Sequence, residues 1–317
     1  MATGKKTALM SRKTPGGVWN VEDQSLSTGD RYFVGSTVST ASDATTHGAS
    51  PDRPFATIDY AVGQCTASQG DIIYVMPGHA ETVAAAAGLD FDVAGIKVVG
   101  LGWGDTQPIV SIGTLTSATV EFNADDMWIE NIRFKGTIAD LVVGLDVKTG
   151  CDNLTFKNCK IGGTTSAVDM LKGVTIEATN DSITFDGCLF KEPAGGEATA
   201  AIFTEGAFSN LLIQNCTFWG DWKAATLDLD AAAVTADGLF MLDCDVYNAD
   251  ASVGLFCTLD NTTVAHFVRV TTGVGKSNTP PIPTGDDGAT TAIECYGVEA
   301  VACYGVIWPL TATNYAG

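Results

Sequence analysis

The best candidates for acid–base chemistry in this chain are four acidic residues, Glu130, Asp186, Asp243 and Asp245. A glycoside hydrolase needs two carboxyl groups about 5–9 Å apart in an open groove. These residues fall at different positions of a repeated segment, or two repeats apart, so their spacing does not indicate one shared groove. Each also has a simpler role as a solvated side chain or a bend residue. We therefore expect no catalytic pair and no enzymatic activity.

Three basic residues could serve an elimination reaction instead. A polysaccharide lyase needs a lysine or arginine as base, with Ca²⁺ or an arginine to neutralise the substrate carboxylate. Arg133 and Lys160 share one position in adjacent repeats, and Arg269 is assigned to that position in a later repeat. Exposed basic residues are also ordinary on an acidic protein, so the sequence favours a surface role for them.

The sequence predicts no metal site and no cofactor. No second histidine stands at ligand spacing from His79 and Glu81. No Ser-His-Asp arrangement, phosphate-binding glycine loop or Cys-x-x-Cys pair is present. Two aspartate clusters could offer oxygen ligands to Ca²⁺, but solvated turns are the simpler interpretation. The two clusters are Asp228 with Asp230, and Asp286-Asp287-Gly288. The remaining histidines are His47 and His266.

A nine-residue repeat provides the elements that must position these side chains. The copies are Asn153–Ile161, Ser182–Phe190, Asn210–Phe218 and Gly238–Val246, with an earlier one at Asp126–Phe134. Their cysteines lie 29, 28 and 28 residues apart and are Cys159, Cys188, Cys216 and Cys244. A fixed period of this size is typical of a stacked-repeat fold.

The pattern within each copy predicts a strand, a one-residue bend and a second strand. Positions two and four are apolar, as are positions seven and nine, which gives both strands one buried face. Position six holds residue types that tolerate a positive φ angle. These residues are Asn131, Asn158, Gly187, Asn215 and Asp243. The repeat therefore predicts an all-β, parallel β-helix of about eight turns, whose stacked coils share one core.

Cysteine usage and charge limit the environment and the partners. The chain has nine cysteines and no secretory signal, so we expect the stacked ones to be free thiols packed in the core. A net charge of −20, from 17 basic and 37 acidic residues, disfavours nucleic acid and anionic membranes as partners. No apolar run has the length of about 18 residues that a membrane span needs.

The chain divides into four predicted segments. Residues 1–30 form a basic arm, and residues 31–53 an extended lead-in loop. The β-helix covers residues 54–310, begins with a short capping helix and carries an inserted loop at 272–289. A tail follows at 311–317. The arm side chains expected to attach the protein to a partner are Lys5, Lys6, Arg12, Lys13 and Trp19.

Aromatic residues follow the repeat in successive coils, at Trp219, Trp222 and Tyr247. Aromatic side chains on a lateral face can bind sugar or a neighbouring subunit. Contact with a subunit is the simpler interpretation if the rods associate.

Three runs together resemble the pectin-lyase-like right-handed β-helix family. They are Pro54-Phe-Ala-Thr-Ile58, Gly70–Thr82 and the repeats with Asn-Cys at positions six and seven. Within that family the resemblance is to virion proteins of tailed bacteriophages, a group with tailspikes, head fibres and capsid decoration proteins. The resemblance implies a homotrimer, and it specifies fold better than function.

From the resemblance we expect a non-enzymatic virion protein, a trimeric capsid decoration (cement) protein attached through its arm. Its partners would be itself and the major capsid protein or other virion proteins. Its location would be the outer surface of the particle, after assembly in the host cytoplasm. The alternative is a tailspike or tail fibre that binds or depolymerises host surface polysaccharide, and a host-encoded carbohydrate-binding β-helix is a third possibility.

Overall fold

The protein is a right-handed parallel β-helix, as the sequence predicts. The computed structural model describes residues 10–12, 19–21, 29–229, 237–250, 255–259, 264–274, 284–285, 292–296 and 299–300. Each coil runs through three sheets, here called sheets 1, 2 and 3. A bend joins sheet 1 to sheet 2, and longer turns lead into and out of sheet 3.

The strands of each sheet pair in parallel with the coils before and after them. Sheet 1 contains Arg31–Val34, Ile72–Val75, Lys97–Gly100, Trp128–Glu130, Thr155–Lys157, Asn180–Asp181, Thr184–Asp186, Phe208–Gln214 and Ala292–Tyr296. Sheet 2 contains Ala80–Val83, Ile109–Ile112, Arg133–Gly136, Lys160–Gly162, Leu189–Lys191, Thr217–Gly220 and Glu299–Ala300. Two long strands, Asp237–Asn248 and Val264–Val274, run through both sheets and join them into one array of 18 strands. Sheet 3 contains Leu89–Phe91, Val120–Phe122, Leu141–Val147, Met170–Ile176, Ala200–Thr204, Ala225–Leu229, Leu255–Leu259 and Thr284–Gly285.

The core is a set of files in which like residues stack above like. Phe156 and Phe185 are partners across sheet 1, with ring centroids 5.1 Å apart and planes within 5°. Phe190 and Phe218 stack in the same way across sheet 2, at 4.6 Å and 8°. Both pairs are fully buried, so each coil closes its inner face against the next.

The repeated cysteines also form one file. Cys159, Cys188, Cys216 and Cys244 are buried free thiols. The backbone N–H of Cys188 donates to the Sγ of Cys216, and that of Cys216 donates to the Sγ of Cys244, both at 3.4 Å. Hydrogen bonds with the Cys159 and Cys216 thiols, together with burial, raise the pKa of Cys188, so this thiol stays protonated in the core.

The bend between sheets 1 and 2 uses a left-handed residue in every copy of the repeat. Asn131, Asn158, Asn215 and Asp243 have φ angles of 57°, 53°, 54° and 52°, and Gly187 has 66°. The side-chain amide of Asn131 donates to the carbonyl oxygens of the preceding coil at Gly100 and Gly102 (2.7 and 2.8 Å). Such bonds link one coil to the next and hold the bend in the αL region.

The register places Arg269 at this bend, in line with Asp243, with a φ angle of 52°. Assigning it to the position of Arg133 and Lys160 was therefore wrong. The repeat around Arg269 lacks the Asn-Cys pair that marks the bend elsewhere. The guanidinium instead pairs with the Asp243 carboxylate, which lowers the pKa of that carboxyl.

The first coil is covered by a short helix, Ile58–Val62. The Thr57 hydroxyl accepts a hydrogen bond from the Tyr60 N–H and caps the start of the helix. Ile58, Ala61 and Val62 are buried and close the apolar end of the coil stack. Helices among the described residues are too short and too polar to cross a membrane.

The ends of the chain are described only in part. The lead-in segment 31–53 begins with the strand Arg31–Val34, which pairs with Ile72–Val75 because Tyr32 and Val34 point into the core. In the predicted arm, the strands Met10–Arg12 and Trp19–Val21 pair antiparallel. Lys5, Lys6, Lys13, Asp230, the tail at 311–317 and most of the loop at 272–289 lie outside the described residues.

Candidate functional site

The outer face of sheet 2 carries a run of basic residues. Arg133, Lys160 and Leu189 are partners on three adjacent strands and form one outward file. Lys135 and Lys191 are two residues further along their strands and lie in a second outward file. Sheet positions fix all these side chains on one face, because alternate residues of a strand point the same way.

An open cavity of about 220 Å³ lies between these two files. Its lining residues are Arg133, Phe134, Lys160, Ile161, Gly162, Gly163, Leu189 and Lys191. A side chain at Gly162, whose φ angle is 143°, would overlap the backbone carbonyl of Lys191. The glycine therefore leaves the cavity floor as bare backbone.

The cations of this face have no acidic partner within the described part of the chain. Among the other basic residues in the described part of the chain, ion pairs are present for Lys97, Lys148, Lys157, Lys172, Lys223 and Arg269. Arg133, Lys135, Lys160 and Lys191 make none, although the chain as a whole has a net charge of −20. The cavity is therefore a positive region on an acidic protein.

Two exposed aromatic side chains continue the second file. Lys191 is the sheet partner of Trp219, and Trp219 is the partner of Tyr247. The two rings are 59% and 39% exposed, with centroids 5.1 Å apart. Trp222, which the sequence suggested for the same face, is fully buried instead. Trp222 follows the end of the sheet 2 strand, where the chain turns inward. The backbone N–H of Trp222 donates to the Oδ1 of Asn248 (3.1 Å).

A buried carboxyl group lies beneath the cavity. Glu192 is 4% exposed, and its Oε1 accepts hydrogen bonds from the N–H groups of Gly163 (2.8 Å) and Met170 (3.4 Å). Its Oε2 has no hydrogen-bond partner among the described residues. Burial, with a smaller contribution from Asp169, raises the pKa of Glu192 to about 8, although both hydrogen bonds act to lower it. The group is therefore mostly protonated at neutral pH and does not neutralise the cations.

Sheet 3 carries a second group of titratable residues, the acidic file. Asp90, Glu121 and Asp146 are sheet partners on three successive coils, all on the outer face. Neighbouring strands lie about 4.8 Å apart, which is close to the carboxyl separation of about 5–5.5 Å in retaining glycoside hydrolases. Burial raises the pKa values of Asp90 and Asp146, even though Asn123 donates to Asp90 and Lys148 to Asp146. The Nζ of Lys148 lies 3.0 Å from the Asp146 carboxylate. A hydrogen bond to Glu177 and, to a smaller extent, the one to Asp146 raise the pKa of Lys148.

The sequence analysis missed this file, although a signal was available. Each member is the centre of an apolar-acid-apolar triplet, at Leu89-Asp-Phe91, Val120-Glu-Phe122 and Leu145-Asp-Val147. The triplets do not share a period with the nine-residue repeat, because turns of different length precede them.

The four carboxylates first considered for catalysis do not converge. Glu130 and Asp186 lie on sheet 1, two coils apart, where each pairs with a lysine. Asp243 lies at the bend and pairs with Arg269. Asp245 is exposed on sheet 2 between Thr217 and Thr271.

No group of three or more His, Cys, Asp or Glu residues could hold a metal ion within the described ranges. The Nδ1 of His79 accepts from the Ser36 N–H, and its Nε2 lies 3.2 Å from Glu81. His47 contacts Thr46, and His266 stacks on Phe240. Asp228 accepts a hydrogen bond from Thr258 (2.7 Å).

The β-helix, with polar groups on its outer sheets, defines the class of protein, and comparison with solved structures places it among known folds. A pectin methylesterase from Aspergillus niger is 17% identical, with a TM-score of 0.50 over 90% of this chain and 93% of that chain. A second structure of that enzyme, in deglycosylated form, is 14% identical with a TM-score of 0.47 over 90% and 93%. A rhamnogalacturonan lyase is 15% identical with a TM-score of 0.40, over 78% and 71%. No family model and no curated protein matches the sequence.

The first likeness shows that the fold is a pectin-lyase-like β-helix, as the resemblance implied. It contradicts the expectation of a chain without enzymatic activity, because an enzyme has this fold over nearly its whole length. That expectation considered only carboxylates of the nine-residue repeat and overlooked the acidic file of sheet 3. The matches give no support to a virion origin, so the virion location, the capsid partner and the homotrimer stay predictions.

Proposed function

We propose that this chain is a polysaccharide-acting β-helix protein that binds its polymer along the outer face of sheet 2. The observation that carries the proposal is the exposed Trp219–Tyr247 pair, which is continuous with an open cavity on the same face. The proposal takes up the second interpretation of the sequence, in which the chain binds or depolymerises a surface polysaccharide.

The shape of the site suits an extended polymer. Trp219 and Tyr247 lie on adjacent parallel strands, so the two rings follow the axis of the rod. Exposed aromatic rings present flat apolar surfaces, against which the apolar faces of sugar rings can pack. Both residues project from strands of a rigid stack, and such strands hold binding groups more accurately than loops do.

The comparison with pectin methylesterase supports the proposal at the level of fold. That enzyme is named for a polysaccharide and shares the β-helix over most of both chains. Because one fold hosts many functions, the argument for this chain still depends on its own aromatic and basic side chains.

Affinity electrophoresis against a panel of bacterial surface and plant cell-wall polysaccharides tests the proposal. We expect at least one polymer to retard the full chain, and we expect Trp219→Ala and Tyr247→Ala to lower that affinity at least tenfold. The matched control is Trp103→Ala, because Trp103 is 86% exposed and precedes the sheet 2 strand Ile109–Ile112, four coils before the strand of Trp219. If no polymer retards the protein, or if all three variants lose binding equally, the proposal is wrong.

The acidic file supports hydrolysis as a second function, because it places carboxyl-bearing residues in register on adjacent strands of one outer face. Asp146 is the candidate proton donor, since burial raises its pKa and helps it to keep a proton. Glu121, on the adjacent strand, is the candidate base or nucleophile. The donor would protonate the glycosidic oxygen while the bond to the anomeric carbon breaks, and water would supply the new hydroxyl group.

Release of reducing ends from a bound polymer measures this second function. We expect Asp146→Asn and Glu121→Gln to abolish release without changing retardation by the polymer. Glu130→Gln, which alters a carboxyl group on sheet 1, is the matched control. Release that survives both changes in the acidic file would rule out these roles.

A further inference from the structure

We infer that the polysaccharide is anionic and that the cavity on sheet 2 holds one of its acid groups, a carboxylate, sulfate or phosphate. The inference rests on the proposed function and names its substrate class. It assigns the binding of the acid group to Arg133, Lys160 and Lys191.

Three basic side chains that line the cavity make no ion pair with the described residues. Arg133 and Lys160 are sheet partners, and Lys191 is on the strand after that of Lys160. All three line the same cavity, and no acidic side chain in the described part of the chain lies within ion-pair distance of them. Like charges on adjacent strands repel one another, and an anion between them removes that repulsion.

The cavity is built for a group that approaches the backbone. Gly162 and Gly163 leave the floor without side chains, and Leu189 provides one apolar wall. The acidic side chain of Glu192 is buried next to Gly163, and its Oε1 accepts hydrogen bonds from the backbone N–H groups of Gly163 and Met170. A volume of about 220 Å³ is below the usual range for drug-sized ligands, so it suits one substituent of a chain.

The direction of the site favours a polymer over a free ion. Lys191 is in register with Trp219, so a sugar packed on the aromatic pair would place its neighbours over the cavity. An arginine with two lysines suits oxyanions, since the guanidinium can donate two parallel hydrogen bonds and the ammonium groups add charge.

Matched pairs of polymers test the inference with the full chain. Polygalacturonate and its fully methyl-esterified form share one sugar backbone, and the methyl ester removes the negative charge. Dextran sulfate likewise shares the backbone of neutral dextran and adds charged sulfate groups. The variants are Lys160→Gln with Lys191→Gln, the conservative Lys160→Arg with Lys191→Arg, and Trp219→Ala. Lys157→Gln is the control, because it removes the same charge on sheet 1.

We expect the protein to bind at least one anionic polymer tenfold or more tightly than its neutral partner. The double glutamine variant should lose that preference and most of the salt dependence, while the double arginine and control variants keep both. Trp219→Ala should weaken binding to the charged and neutral forms alike. Preference for the uronate polymer or the sulfated one would identify the acid group.

Three outcomes would overturn the inference. Equal binding of charged and neutral polymers, unchanged by the double glutamine variant, would remove the anion site and leave the proposed function intact. Binding of no polymer would remove both. Tighter binding of single-stranded DNA than of any polysaccharide would show that the cations serve a different polyanion.

Discussion

Raising the pH should destabilise this protein through Glu192 alone by several kcal/mol. The pKa of this buried carboxyl group is about 8 in the folded chain, against 4.5 for a free glutamate. Below about pH 4.5 the group is protonated in both the folded and the unfolded chain, so it costs nothing. As the pH rises toward 8, the unfolded chain loses the proton first, and the free energy of unfolding falls.

The size of the effect follows from the two pKa values. Each pH unit between them corresponds to about 1.4 kcal/mol, so the free energy of unfolding should fall by about 5 kcal/mol between pH 4.5 and 8 because of this group. The physical cause is burial, since Oε2 has no partner in the described structure and Asp169 adds a nearby negative charge. Glu192→Gln removes the titration and retains an oxygen that can accept from Gly163 and Met170.

Urea unfolding at pH 5 and pH 8.5 measures the difference. We expect Glu192→Gln to match the unchanged protein within about 1 kcal/mol at pH 5 and to exceed its stability by several kcal/mol at pH 8.5. Glu197→Gln is the matched control, because Glu197 is exposed five residues further along the chain. If the Glu192→Gln advantage is the same at both pH values, the group does not titrate as the structure implies and the reasoning fails.

Other parts of the fold give three further expectations. Asn131→Ala should lower the free energy of unfolding, measured in urea, by about 1–3 kcal/mol. The change leaves the carbonyl groups of Gly100 and Gly102 without these hydrogen bonds and puts alanine at a φ angle of 57°. An unchanged free energy of unfolding would show that the bend does not depend on this side chain. Phe185→Ala should cost about 3–5 kcal/mol, since its ring stacks on Phe156 in a fully buried file, and a cost below 1 kcal/mol would contradict that packing. Cys159, Cys188, Cys216 and Cys244 should resist a thiol reagent in the native chain and react after unfolding in urea. Rapid labelling of any of these four residues in the native chain, located by peptide mapping, would contradict their burial.

The winding of the chain could be predicted from the sequence because its cause is local. Each copy of the repeat contains the residues that form its own strand, bend and second strand. Copies of similar length must stack to bury their inner faces. Asn131 and the residues at the same position of the later copies indicate where the bend lies, because few residue types adopt a positive φ angle. Where the repeat is poorly preserved, its register cannot be assigned from the sequence, and Arg269 was therefore aligned with Arg133 and Lys160 although it lies at the bend, in line with Asp243.

The cavity on sheet 2 and the acidic file on sheet 3 are formed by residues from different coils. Which residues become neighbours across coils is harder to predict from the sequence. Arg133 and Lys160 could be aligned from the repeat, but Lys191 joins them only because a cavity opens between two outward files. That these cations have no acidic partner among the described residues is a property of the folded surface. The acidic file of sheet 3 depends on turns of unequal length, so residues 31 and 25 positions apart in the chain become sheet partners.

A crystal structure of the full chain with a bound fragment of the polysaccharide that it retains tests the central claim most directly. The account predicts sugar rings packed on Trp219 and Tyr247, with an acid group in the cavity between Arg133, Lys160 and Lys191. A fragment bound on sheet 1, or at the ends of the rod with sheet 2 unoccupied, would contradict it.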